Sequence, residues 1–182
     1  MLTKTFEDHA AELHWLAYLL TGSQDRSLQA LTKAVDAEDY ANPVTADFMA
    51  SWSRKLVIAA ALETIRPQLR ESALRTVRSE DPDPATLAAS KPAASHRMTT
   101  PDFEHALLAI DVFPRCALLL TVFEKLSIED AALLLNADKA LVRKAQGQGL
   151  LELAGAAAGG RSLRRTAPNV FQLHLRCVEM LI

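Results

Sequence analysis

An all-α protein built from two small helical units is what this sequence predicts, and three observations predict it. Apolar residues recur at spacings of three and four along most of the chain. No stretch alternates apolar and polar residues in the manner of a half-buried strand. Residues 79–100, SEDPDPATLAASKPAASHRMTT, contain three prolines, many small residues and no periodic apolar face, which reads as a linker between units. With 49% of its 182 residues apolar, the chain can bury a core on either side of that linker.

In chain order, Phe6, Ala10, Leu13, Ala17 and Leu20 share one face and predict an amphipathic helix from about Thr5 to Leu20, ended by Gly22. Ser23 or Asp25 can cap a second helix, in which Leu28, Leu31 and Val35 fall on one face before Asn42-Pro43 breaks the pattern. Phe48, Trp52, Leu56, Ala59 or Ala60, and Leu62 predict a third helix, with Ile65 and Leu69 continuing its stripe. Pro67 should kink or end that helix, because it lacks a backbone donor and clashes with the preceding turn.

After the linker, Thr100-Pro101 reads as an N-cap followed by proline at the first helical position, opening a short helix with Phe103, Leu107 and Ile110. Pro114 opens a strongly apolar one, CALLLTVFEKL. Ser127, with the acidic Asp130 three residues on, caps IEDAALLL. That helix stops at Asn136, a residue type that tolerates the left-handed conformation of a sharp turn, and Asp138 caps the helix that starts near Lys139. GAAAGG at 155–160 reads as a flexible break. Beyond it RSLRRTAP is a basic hinge and NVFQLHLRCVEMLI one last helix, apolar on more than one side through Val170, Leu173, Leu175, Val178 and Leu181.

Charge is distributed unevenly. The formal net charge is -2, which argues against coating nucleic acid by bulk charge, so any such contact has to come from a local patch. Residues 1–50 hold three lysines and arginines against eight acidic residues, whereas residues 137–165 hold six against two. The N-terminus places Glu7, Asp8, His9 and Glu12 ahead of its apolar residues, the wrong order for a secretory signal. No apolar run reaches the roughly 18 to 20 residues needed to cross a bilayer. A soluble cytoplasmic protein without membrane contact is the expectation.

The two cysteines, Cys116 and Cys177, each sit inside an apolar helical pattern and read as buried reduced thiols. Asp8, His9, Glu12 and His14 lie close in sequence, but His9 and His14 are five apart and share no face, so a solvated acidic surface is expected rather than a metal site. No Ser-His-Asp or Cys-His arrangement, phosphate loop or dinucleotide-binding glycine pattern occurs. Neither catalysis nor a cofactor is expected.

These segments together resemble the extracytoplasmic-function group of bacterial RNA polymerase sigma factors. The resemblance covers most of the chain outside the linker and the tail. LAYLLTGSQDRSLQALTKAV (Leu16–Val35) and FMASWSRKLVIAAALETIRPQLR (Phe48–Arg70) are similar to the family's N-terminal helical domain. Lys125-Leu126-Ser127, Ala131-Ala132, Leu135-Asn136 and Leu141-Val142-Arg143-Lys144-Ala145 fall without a gap on its C-terminal helix-turn-helix. The resemblance implies a sigma region 2-like domain over 1–78, a linker over 79–100, a region 4-like domain over 101–155 and a C-terminal extension over 156–182. It also implies that RNA polymerase core and duplex promoter DNA are partners, with a regulatory protein as a further candidate.

On this reading Lys139, Arg143 and Lys144 near the start of the recognition helix hold phosphates, while Gln146 and Gln148 are candidate readers of adenine edges. Arg161, Arg164 and Arg165 are candidate phosphate contacts of the hinge. The chain departs from the family at Leu141 and Ala145, where threonine and arginine are usual, and at Gln148, where a further arginine is usual. SLQALTKAV lacks the acidic residue and Gln-Glu pair of the polymerase-clamping helix. A second reading therefore stands beside the first: a degenerate sigma-like module that works through protein contacts, using its acidic N-terminal half or its final helix.

Overall fold

A computed structural model describes residues 2–38, 46–79 and 99–158. Among these residues every regular element is helical, as the periodicities predict. The chain divides between Thr64 and Ile65 into two compact units.

The first unit contains α1 (Leu2–Thr21), α2 (Gln24–Glu38) and α3 (Ala46–Thr64), each packed against the other two. α1 ends where Gly22 enters the left-handed region at φ 68°, its N–H reaching the Tyr18 carbonyl at 2.7 Å. Leu13, Ala17 and Leu20 are buried as their spacing predicts, joined by Leu16 and Leu19.

α2 differs from expectation. Its buried positions are Ser27, Ala30 and Ala34, whereas Leu28, Leu31 and Val35 are only half-buried. Small residues at the centre let the neighbouring helices approach closely, and the larger side chains close the flanks. The buried Ser27 hydroxyl donates to the Gln24 carbonyl at 2.7 Å and pairs with His14 Nε2 at 3.1 Å, tying α2 to α1. In α3 the core is made by Val57, Ile58, Ala60, Ala61 and Leu62, while Trp52 and Leu56 are half-buried and Ala59 is exposed.

α3 ends at Thr64. α4 (Arg66–Arg78) restarts after Ile65 with Pro67 in its first turn, where the missing N–H needs no partner. α4 packs on α6 and α8, so it belongs to the second unit, whose boundary falls ahead of residue 78. The stripe of Ile65 and Leu69 continues the apolar pattern of α3 in sequence, but Pro67 separates the two helices.

The second unit also contains α5 (Thr100–Ala109), α6 (Val112–Leu118), a π turn (Leu119–Phe123), α7 (Ile128–Leu135) and α8 (Lys139–Ala158). α5 is capped one residue earlier than expected. Thr99 is the N-cap, accepting from Asp102 N–H while the Asp102 carboxylate accepts from Thr99 N–H, because only Thr99 has an acidic residue three positions on. α6 likewise begins two residues ahead of Pro114, with Asp111 as N-cap accepting from Val112 N–H at 2.8 Å.

Residues Phe113 to Leu120 are all buried, so α6 is the axis of the unit and is covered on every side. α8 packs against α4, α5, α6 and α7. It comes close to α6 at Gly149, where an added Cβ would lie 3.0 Å from the Pro114 carbonyl oxygen and 3.2 Å from Leu118 Cβ. α8 runs on through Gly155 to Ala158, past the expected break, because the alanines around that glycine favour helix. The rest of the 79–100 linker beyond Ser79, Thr99 and Thr100, the final helix, Cys177 and Arg161, Arg164 and Arg165 lie outside the described residues.

Candidate nucleic-acid interface

The helices α7 and α8 are joined by a tight turn through Asn136, Ala137 and Asp138, and local chemistry fixes each of its corners. Ser127 Oγ accepts from Asp130 N–H at 3.0 Å and donates to the Asp130 carboxylate at 2.7 Å, opening α7. Asn136 sits in the left-handed region at φ 49°, ψ 52°. There its N–H reaches the Leu133 carbonyl at 3.2 Å and Ala137 N–H reaches the Ala132 carbonyl at 3.0 Å, the two bonds that close a helix C-terminus. Asp138 Oδ1 then accepts from Ala140 N–H at 2.8 Å, starting α8. Ala131, Ala132 and Leu135 of α7 and Val142, Ala145 and Gly149 of α8 are buried, which sets which face of each helix remains outside.

The five residues proposed for DNA have different surroundings. Lys139 is exposed and its Nζ donates to Glu129 at 3.0 Å; this bond, with the nearby Arg143 charge, holds the Glu129 carboxyl below its usual range. Arg143 is exposed one turn further on. Lys144 is half-buried, and its ammonium donates to the Ser79 carbonyl at 2.6 Å and the Val77 carbonyl at 3.4 Å. Those carbonyls end α4, so Lys144 neutralises the negative end of that helix. Gln148 is half-buried and donates to Ser79 Oγ. Gln146 is half-buried on the opposite flank, the side of Lys139.

Thus Lys139 and Arg143 stand together at the open start of α8, while Lys144 and Gln148 are engaged by the end of α4. The outward face of α8 is otherwise short or aliphatic: Ala140, Gly147, Leu150, Leu151 and Ala154, of which Leu150 is 38% exposed.

Two further polar ties hold α4 in place, and neither was foreseen. Arg75 grips Asp111 through Nε and Nη2, both at 2.9 Å, and also reaches Glu71 at 3.0 Å. Mainly through that bond with Arg75, the Asp111 carboxyl is held down at about 2. The buried Ser72 hydroxyl accepts from Phe113 N–H at 2.8 Å. Asp111 also caps α6, and nothing local in the sequence announces its partner 36 residues away.

Arg115 is buried within the axis helix, donating to the carbonyls of Leu108 and Ile110, both at 3.2 Å, at the end of α5. Two helix C-termini in this unit are therefore capped by cations from another helix. Beside Arg115, burial pushes the Cys116 thiol up to about 12. Among the described residues no cluster of His, Cys, Asp and Glu could hold a metal ion, and no helix is long and apolar enough to cross a membrane. Comparison of the chain with models of protein families, with curated proteins and with solved structures finds no match.

Proposed function

We propose that this is a sigma-factor-like transcription protein, acting by recognition rather than chemistry, whose second unit meets duplex promoter DNA through the start of α8. The capped helix-turn-helix carries this reading, with Lys139 and Arg143 exposed at the opening of its second helix. Phosphate contacts are what such side chains offer at that place, and they fix register without reading sequence. Polymerase core is assigned to the N-terminal helices by resemblance.

A second reading has its own observation. Lys144 and Gln148 serve the end of α4, and the outward face of α8 has few polar side chains. This favours a sigma-shaped module that works through protein contacts.

Titration of the protein with duplex DNA across a salt series separates the two, with a Lys139→Glu, Arg143→Glu variant as control. Lys144 is unsuitable for that control, since its loss would disturb α4. On the first reading log K falls with log salt at a slope of about -2, for two phosphate contacts, and the double variant abolishes binding. Binding of polymerase core, measured separately, completes it. No DNA binding at low salt, with the variant indistinguishable from the parent, overturns it in favour of the second.

A further inference from the structure

The inner face of α4 is fully used and its outer face is not. Ile65, Leu69, Ser72 and Thr76 recur at intervals of three and four and are buried. At about 100° per residue the opposite face is centred on Leu74, with Arg70 and Pro67 one and two turns before it and Val77 and Arg78 one turn after. Leu74 is 59% exposed and Val77 58%. Around them Arg66, Arg70 and Arg78 are exposed, and none of them enters an ion pair among the described residues. Arg75, by contrast, is turned away to Asp111 and Glu71.

We infer that the outer face of α4 is a docking surface for an acidic amphipathic helix of another protein. Two aliphatic side chains flanked by three cations, the one acid among them, Glu71, being already paired with Arg75, are complemented by a helix that offers aliphatic residues along one stripe and carboxylates beside it. A nucleic-acid backbone answers the arginines but leaves Leu74 and Val77 uncovered, and a purely acidic loop does the same. The surface is also rigid. Arg75 on Asp111, Ser72 on Phe113 and Lys144 on the Ser79 carbonyl hold α4 along its length, so a partner finds the arginines and aliphatics already in place. α4 spans about 20 Å, enough to meet three to four turns of a partner helix. The surface uses neither Lys139 nor Arg143, and it holds whether or not α8 contacts DNA.

Fluorescence anisotropy on the full chain tests this. The probe is a labelled peptide of about 20 residues, with leucines at helical spacing and glutamates flanking them. Its controls are a scramble of the same composition, a version with lysine for every glutamate, and duplex DNA as competitor. The acidic helix should bind at least about tenfold more tightly than either control peptide, and Leu74→Ser and Arg70→Glu should each weaken it about fivefold or more with unchanged thermal melting. Equal binding of acidic and scrambled peptides, or no binding of either, overturns the inference. So does displacement by duplex DNA that itself depends on Arg70. Self-association of the protein alone that disappears in Leu74→Ser would assign the surface to a second copy and also overturn it.

Discussion

At Gly149 the missing side chain is a packing requirement, whereas at Gly155 it is not. A methyl at 149 would press on the Pro114 carbonyl at 3.0 Å, and one at 155 would meet nothing within 4 Å. Gly155→Ala should raise stability by up to about 1 kcal/mol through helix propensity. Gly149→Ala gains the same propensity but forces α8 from α6, and should lower stability by about 1 kcal/mol net, both read from urea midpoints. Asp111 gives a second residue-scale prediction, this one in pH. Its folded pKa, about 2, lies below the ordinary 3.8, so its contribution is complete above about pH 4 and is lost as pH falls through about 2. Asp111→Asn keeps a capping oxygen but loses the ion pair. It should cost about 1 kcal/mol at neutral pH, the pair being partly solvent-screened, and should flatten the acid limb of the urea midpoint against pH.

At the scale of the element, the end of α4 depends on a side chain from another helix. Lys144→Met keeps the aliphatic stem but removes the cation from the Val77 and Ser79 carbonyls, and should lower the thermal midpoint by an amount equivalent to about 1 kcal/mol. Lys139→Met, at the exposed pair with Glu129, should leave it nearly unchanged. This contrast also marks what was legible in the sequence. Ser127, Asn136 and Asp138 were readable because each cap acts within four residues, where spacing alone names donor and acceptor. The bond from Lys144 to the Ser79 carbonyl was not readable, because that partner lies 65 residues away, beyond any local rule. The face of α2 misled for another reason. Periodicity weighs large apolar residues most, whereas close helix packing selected Ser27, Ala30 and Ala34 for the interior. Arg115 left no sequence signal at all: an arginine inside CALLLTVF's apolar helix is recognisable as a cap only once the end of α5 lies beside it.

For the whole molecule, two separately cored units replace a division at residue 78, because the proline that ends α3 hands α4 to the second core. The Cys116 thiol reports on that core. It is fully buried and its pKa is pushed up to about 12, so almost no thiolate exists near neutral pH. In a Cys177→Ser background it should stay unlabelled by a thiol reagent in the native protein, and Gly149→Ala should speed labelling in proportion to the loss of stability of the second unit. The π turn at Leu119–Phe123 reaches further. Its closing bond, Glu124 N–H to the Leu119 carbonyl at 2.9 Å, takes one more residue into the loop than an α turn does. Loss of a single codon within this stretch would let the α6 helix continue unbroken and rotate everything after it by about 100°. Phe123 would leave the edge of the Phe103 ring, now 5.5 Å between centroids, and Ser127 would open α7 in another direction. The one extra residue in this turn thus sets the azimuth of the α7 and α8 pair that follows.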